Sequence, residues 1–241
     1  PATLNRLELG AKFSDRYRKI TADPQKVEAA VLELGVRCLP KDGEVFVLDL
    51  DATDDPLHGR QEGAFFHGYY GNHCYLPLFG FVGDIPLWAQ LRTSDQDASA
   101  GTREALEKIV PAIRKRFPHA KIVVRADSGF SRESILAWCE EQKEVYYLVG
   151  MARNARLEEM VAPALMRAME RHCRSGVACR EFMESEYSTL ESWSRSRRML
   201  RKAEVLVGMK SNPRFVTTNI PAQGILDSEG NVLVSGAVDE L

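Results

Sequence analysis

The stretch VFVLDLDATDDPLHG, residues 45–59, joins an apolar, strand-like run to a group of four aspartates. The run at 45–48 is apolar on both faces, which is typical of a central strand that is covered on both sides. Side chains alternate along a strand, so Asp49 and Asp51 share a face. Two carboxylates about 4 Å apart repel by roughly 4 kcal/mol at an effective dielectric near 20. The stretch therefore indicates either a cation site or the start of a polar, backbone-bonded loop.

Composition describes an ordinary globular protein with a large core. The 241 residues are 44% hydrophobic and 27% charged, and the formal net charge is only −2. No global basic field is present, so a nucleic-acid surface would have to be a local patch. The five cysteines form no CxxC pair, which favours a reducing compartment. With no signal peptide and no apolar run of about 18 residues, we expect a cytoplasmic protein without a membrane partner.

Hydrophobic periodicity divides the chain into four segments. They are an N-terminal helical segment (1–43), an α/β core (44–153), a helix with a β-rich insertion (154–219) and a tail (220–241). The first segment holds predicted helices at 3–13 and from Asp23 to Gly35, with Asp23 as the cap and Gly35 as the stop.

Two further local predictions concern helices. In the helix that starts at Asp23, the side chains expected to face the core are Val27, Val31 and Leu34. A later helix in the α/β core is expected to be capped by Ser131.

The order of elements in the core predicts an RNase H-like mixed sheet flanked by helices. Strand candidates at 45–51, 74–83 and 86–93 are followed by helix–strand–helix–strand units, with the fourth strand at 120–127. In such a core the first and fourth strands are parallel neighbours. Asp51 and Asp127 should then converge at the carboxyl ends of their strands, where open α/β sheets place their sites. Arg125 shares the face of Asp127 and could pair with an acid or bind a phosphate.

The sequence resembles the DDE-type transposases of bacterial insertion sequences over residues 3–220, so the tail at 220–241 is expected to lie outside the family pattern. The resemblance is dense in LDLDATDDPLHGRQEGAFFHGYYGNHCYLPL, VVRADSGF, YYLVGMARNARL and NPRFVTTNI. It implies cut-and-paste transfer of double-stranded DNA, at transposon ends and target, by two metal ions that three acids hold. Asp51 matches the first acid in an Asp-x-Thr pattern, and Asp127 matches the second. Mg²⁺ is the implied ion, with Mn²⁺ as a substitute.

The resemblance also implies where the protein works and with what. The protein is expected to be cytoplasmic and to associate with the bacterial nucleoid when it is bound to DNA. The resemblance also leaves open that the protein forms a homodimer.

The third acid of the family has no match in this sequence. The family glutamate lies on a helix in a Tyr/Arg/Glu/Lys-type pattern, whereas PAQGILDSEGNVLVSGAVDEL contains no Tyr, Arg or Lys. Asp49, a candidate metal ligand beside Asp51, and the glutamates Glu229 and Glu240 are the acids that could substitute. We interpret the chain as a catalytic domain cut before its third acid. The alternatives are an inactive remnant that binds DNA or a partner, and an RNase H-like nuclease.

Two other groups of residues could carry function. The stretch WSRSRRMLRK holds five cations that could bind DNA phosphates, and these are Arg195, Arg197, Arg198, Arg201 and Lys202. The alternative is a solvated hairpin balanced by Glu184, Glu186 and Glu191. A soft-ligand cluster of His58, His67, His73 and Cys74 lacks a recognised zinc spacing. The favoured interpretation is a glycine-rich hairpin whose histidines bond to the backbone. The alternative is that His67 and His73 flank the acidic site or contact a DNA phosphate.

Overall fold

The computed structural model describes residues 23–59 and 61–237, so the predicted helix at 3–13 lies outside the described residues. The four helices are α1 (Pro24–Cys38), α2 (Thr102–Arg116), α3 (Glu133–Glu141) and α4 (Ala155–Ser175). A 3₁₀ turn covers Ser128–Phe130. In the part of the chain that is described, no helix combines the length and apolarity that a membrane crossing requires.

Fourteen strands accompany these helices in the described residues. The strands of the first half are β1 (Val45–Ala52), β2 (Asp55–Pro56), β3 (Phe65–His67), β4 (Asn72–Tyr75), β5 (Leu78–Val82), β6 (Ile85–Gln90) and β7 (Lys121–Ala126). Those of the second half are β8 (Val145–Gly150), β9 (Cys179–Tyr187), β10 (Arg197–Leu206), β11 (Lys210–Ser211), β12 (Arg214–Thr218), β13 (Ile225–Leu226) and β14 (Val232–Val234).

One mixed sheet organises the chain, in the order β6-β5-β1-β7-β8-β12-β10-β9. Strands β1, β7 and β8 are parallel, and every other pairing in this sheet is antiparallel. β11 pairs with the end of β10 on the same side as β12. This order confirms the predicted RNase H-like sheet flanked by helices. The β-rich insertion joins the main sheet as four further strands beyond β8, which are β9 to β12.

The two faces of the sheet are covered by different parts of the chain. Alternate residues of β1, such as Phe46 and Leu48, belong to the main core, to which all four helices contribute. The intervening residues Val45 and Val47 belong to a smaller cluster with Ile220 and Ile225 of the tail. The β13–β14 hairpin therefore helps to cover the second face, which is also the face of Asp49 and Asp51.

Helix α1 starts as predicted but turns another side to the core. The Asp23 carboxylate accepts hydrogen bonds from the first-turn backbone, which confirms the cap. The predicted inner face was wrong, because Val27 and Leu34 are 51% and 60% exposed. The residues that α1 buries are Glu28, Leu32, Gly35 and Val36.

Gly35 also has a different role from the predicted stop. It lies inside α1, where a Cβ would approach the Pro86 carbonyl oxygen to 2.2 Å. Glycine is required there because α1 packs closely on β6.

The predicted cap of α3 was also wrong. Arg132 occupies the cap position without a side-chain bond to the helix. The Ser131 hydroxyl instead lies 2.7 Å from the Met151 sulfur atom, next to the end of β8. Ser131 therefore links the turn that precedes α3 to the end of β8.

A buried ion-pair network fastens the insertion to the core. The Arg197 side chain of β10 is 2% exposed and donates to Glu133 and Glu140 of α3, each at 2.7 Å. Its guanidinium also lies over the Trp193 ring, 5.1 Å from the centroid. Hydrogen bonds from Arg197, acting against burial, lower the pKa of Glu133 to about 2.

Replacing the central arginine should strongly destabilise the protein. Arg197→Met keeps the apolar length but leaves two glutamates without their partner, which costs about 3 kcal/mol when such a pair is buried. The measurement is the free energy of unfolding in urea. Arg195→Met is the matched control, since Arg195 is 59% exposed and lies 3.4 Å from the same Glu140. The control should lose less than about 1 kcal/mol, and an equal effect of both changes would contradict the network.

The same network predicts acid sensitivity. The pKa of Glu133 is lower in the folded state than its ordinary value of 4.5, so unfolding takes up a proton in acid. This stabilisation is complete above about pH 5 and is lost as the pH falls towards about 2. In the Glu133→Gln variant, the urea midpoint of unfolding should fall less steeply between about pH 5 and about pH 2 than in the parent protein. Glu159→Gln, at an exposed position on α4, should leave the slope unchanged; a slope unaffected by Glu133→Gln would refute the assignment.

Candidate active site

The pairing of β1 with β7 brings the two predicted catalytic acids together. Asp49 is in register with Arg125, and Leu50 with Ala126. One further step places Asp51 beside Asp127, at the spacing of neighbouring strands, about 4.8 Å. Both residues are exposed. The predicted parallel adjacency of the two strands is confirmed, while the catalytic and metal-binding roles of the two acids stay predictions.

Backbone geometry orients Asp127. One of its carboxylate oxygens accepts a hydrogen bond from the Gly129 N–H at 2.8 Å. Gly150, at the end of β8, lies against the same turn, where a Cβ would come within 3.1 Å of the Ser128 nitrogen. The absence of a side chain at Gly150 therefore allows the turn after β7 to sit directly on the neighbouring strand.

Asp49 is engaged by Arg125, which is the cation that offsets the repulsion between the acids of β1. The arginine makes a forked pair with the carboxylate, with N–O distances of 2.5 and 2.9 Å. The hydrogen bond from Arg125 to Asp49 raises the pKa of the guanidinium. Both oxygens of Asp49 are bonded in this pair. Its predicted role as a metal ligand and the predicted phosphate contact of Arg125 stay predictions.

A small sheet, β2-β4-β3, follows β1 and supplies a residue that the sequence interpretation missed. The Tyr70 hydroxyl donates to the Ala52 carbonyl at 3.4 Å, at the end of β1. Burial raises the pKa of Tyr70, and the charges of Asp54, Asp51 and, more weakly, Asp127 raise it further. Tyr70 therefore keeps its proton and stands beside the acids as a hydrogen-bond donor. Sequence spacing alone could not identify this tyrosine, because Tyr70 comes close to the acids only once the small sheet has packed beside the end of β1.

A second missed residue, Arg92, shapes the loop that follows β6. It is 7% exposed and donates to the carbonyls of Leu76, Ala98 and Ala100, at 2.9 Å for Leu76 and 3.1 Å for Ala98. The Ala98 methyl lies next to Gly129, since a Cβ there would be 3.5 Å from it. Arg92 thus holds the loop against the turn that carries Asp127.

Asp97 ties the same loop to the start of α3. It lies 2.7 Å from Arg132. Burial acts to raise its pKa, but hydrogen bonds from Ser99 and Arg132 outweigh burial and bring the pKa to about 2. Asp97 is therefore charged at neutral pH, and its carboxylate is already bonded to Ser99 and Arg132.

The cations of WSRSRRMLRK are largely engaged inside the protein. The predicted DNA-binding residues here are Arg195, Arg197, Arg198, Arg201 and Lys202. Arg197 and Arg201 are both buried. Arg201 donates to the Met160 carbonyl of α4 at 2.7 Å. The alternation of β10 thus directs part of this stretch into the core.

The other three cations of the stretch are more accessible. Arg198 donates to Glu184 of β9 at 3.0 Å, which is one of the balancing acids named in the alternative. Lys202 lies 3.1 Å from Glu204. Arg195 is 59% exposed. DNA contact by these residues stays a prediction, and Arg195 is the residue best placed for it.

The remaining candidate ligands do not gather around one point. Cys74 is fully buried, and the His67 ring packs 5.0 Å from that of Tyr70. Within residues 23–59 and 61–237, no three His, Cys, Asp or Glu side chains could share a metal ion. The Asp227–Ser228 turn lines a cavity with Glu44, at the start of β1. Glu229, which follows this turn, therefore lies towards the end of β1 that is opposite to Asp51.

The donors present suit one hard divalent cation. Asp51 and Asp127 offer exposed carboxylate oxygens at neighbouring strand ends, and the second oxygen of Asp127 has no hydrogen-bond donor among the described residues. Mg²⁺ prefers one or two carboxylates and keeps several waters. The pair fits that donor set.

Comparison with known proteins assigns the family. No curated protein and no solved structure matches the chain. The family described as Transposase DDE domain group 1 matches residues 1–233, which extends past Ile220 into the tail. Members are transposases, which act on DNA and generally use divalent metal ions. With almost its whole length matched and two aspartates at neighbouring strand ends, the chain belongs to the DDE transposases.

Proposed function

We propose that this protein is the catalytic domain of a cut-and-paste DNA transposase, with Asp51 and Asp127 as its metal-binding catalytic acids. The reaction is cleavage of a phosphodiester bond and transfer of the strand in double-stranded DNA. The observation that carries the proposal is the register of β1 and β7, which leads to Asp51 and Asp127 side by side. The family match supports the same class of reaction.

The residues around the pair have distinct tasks in this proposal. A bound Mg²⁺ supplies Lewis-acid stabilisation of charge on the phosphoryl oxygens. Asp51 and Asp127 hold it, and the Gly129 N–H fixes the orientation of the second carboxylate. Arg125 uses two N–H groups on Asp49 and is 57% exposed, which leaves other N–H groups for a DNA phosphate. The Tyr70 hydroxyl completes the polar rim.

We propose that the third catalytic acid comes from outside these 241 residues. Asp49 is bonded to Arg125, and Glu229 follows a turn at the opposite end of the sheet. Glu240 lies outside the described residues. The 241-residue chain by itself would then be a catalytic domain with an incomplete site. A remnant that binds DNA without cleaving it, and an RNase H-like nuclease, are the alternatives that the experiments below separate.

Metal binding tests the acid pair. Asp51→Asn and Asp127→Asn should each weaken Mn²⁺ binding by at least about tenfold, a loss that even outer-shell metal partners can cause. Electron paramagnetic resonance of free Mn²⁺ during a titration measures the affinity. Asp84→Asn is the matched control, because Asp84 is exposed in the β5–β6 turn at the far edge of the sheet. Equal affinity in all four proteins would remove the metal site from this edge.

Cleavage tests the completeness of the site. The chain should not nick a supercoiled plasmid with Mg²⁺ or Mn²⁺ above the level of an Asp127→Ala control. A lost electrostatic donor already costs about 10²–10³ in rate, and in-line transfer needs both the attacking and the leaving oxygen stabilised. Nicking that depends on Asp127 would show that the chain supplies its own third ligand. Strand joining in addition to nicking would exclude the simple nuclease.

A further inference from the structure

Strand β9 forms an open edge of the main sheet. Within the described residues it pairs only with β10, through nine consecutive residue pairs without a bulge. The strand contains neither proline nor glycine, the residues that most often interrupt pairing. A long and regular edge strand is a template for pairing with another strand.

The backbone groups that point away from β10 belong to the even-numbered residues of β9. The Arg180 carbonyl accepts a hydrogen bond from Arg171 of α4. Glu204, the residue opposite Arg180 in β10, uses its carbonyl for Asn212 on the far side of β10. Because the direction of the N–H and C=O groups alternates along an antiparallel strand, every second residue from 180 to 186 faces outward.

The side chains of these outward-facing residues share the exposed face of the strand. Arg180, Glu184 and Glu186 are exposed, and Phe182 is 37% exposed between the charges. The strand carries three glutamates and one arginine, so it repels the phosphates of nucleic acids. The edge therefore suits a protein strand rather than DNA.

The order of side chains on this face is complementary to itself. When two copies of β9 lie antiparallel with Phe182 opposite Phe182, Arg180 of each copy lies opposite Glu184 of the other. Unlike charges and paired aromatic rings are both favourable across strands. Arg180 and Glu184 have ion-pair partners within the chain, yet their side chains are 57% and 49% exposed and can reach across the edge.

Other registers lose this complementarity. A slip of one residue would set outward-facing backbone groups against groups that already bond to β10. A slip of two residues in one direction places Phe182 opposite Glu184. The same slip in the other direction places Phe182 opposite Arg180 and brings the two copies of Glu181 together, which is repulsive. The charges thus select the register that is centred on Phe182.

We propose that β9 pairs with β9 of a second copy of this chain, antiparallel and centred on Phe182. Residues 179–185 of each copy take part, and a two-fold axis relates the copies. The two main sheets then form one continuous sheet. This surface recognises another protein chain and does not depend on the DNA chemistry proposed above.

The first experiment blocks the edge. Sedimentation equilibrium of the 241-residue parent should show a reversible monomer–dimer equilibrium. Phe182→Pro removes one outward N–H from each copy and leaves the bonds to β10 in place, so the dissociation constant should rise by at least about tenfold. Phe182→Lys, which opposes two like charges without changing the backbone, should do the same. Glu186→Pro is the matched control, because its N–H also faces outward but lies beyond the paired residues; it should behave like the parent.

The second experiment tests the register by disulfide trapping. The background replaces by serine the three cysteines that are not fully buried, and these are Cys38, Cys173 and Cys179. In this background Phe182→Cys should link to itself in a glutathione buffer, because opposed Cα atoms lie about 5.5 Å apart. Glu184→Cys should not link to itself, since its two copies are about 13 Å apart along the strands. A mixture of Arg180→Cys and Glu184→Cys chains should link.

The contrary results are distinct from those of the proposed function. A monomeric parent, or a dimer that Phe182→Pro and Phe182→Lys leave unchanged, would overturn the pairing of β9. Self-linking of Glu184→Cys would overturn the register. None of these results alters the Mn²⁺ titration or the plasmid assay, which report on Asp51 and Asp127.

Discussion

The parallel pairing of β1 with β7 is the constraint on which the site depends. Strand alternation has a period of two, so a slip of one residue would move Asp127 to the other face of the sheet. Two features resist that slip. Val45 and Val47 must stay on the tail side while Phe46 and Leu48 stay in the main core. The forked ion pair between Asp49 and Arg125 forms only in the observed register.

Much of the fold could be predicted because it follows from local patterns. The order of strands and helices in the core and the Asp23 cap follow from hydrophobic periodicity and capping chemistry. The adjacency of the strands that carry Asp51 and Asp127 followed from that order, although 76 positions separate the two acids. What failed was the orientation of α1. Its apolar residues allow two stripes, and the close approach of Gly35 to Pro86 decides between them. Such a contact exists only after packing.

The site was predictable in its acids and not in its surroundings. Tyr70 and Arg92 donate to the backbone carbonyls of Ala52 and Leu76, which lie 18 and 16 positions away in the sequence, and no sequence spacing encodes such contacts. The basic stretch WSRSRRMLRK shows the same limit of sequence-based prediction, because it was expected to be exposed and is partly buried. A run of cations without acids indicates a charged surface, yet strand alternation and the glutamates of α3 draw Arg197 into the interior. Charge in a sequence therefore identifies cations but does not identify which of them meet solvent.

The continuity of the main sheet has a mechanical consequence. The insertion is hydrogen-bonded to the core through β12 and β8, and Asn219 extends that seam with its side chain on Tyr147 and Val145. A domain joined by a linker can swing on a hinge, but strands of one sheet twist only together. Anything gripped by β9 or β10 is consequently held at a set distance from Asp51. The insertion is therefore a continuous extension of the sheet that carries Asp51 rather than a hinged domain.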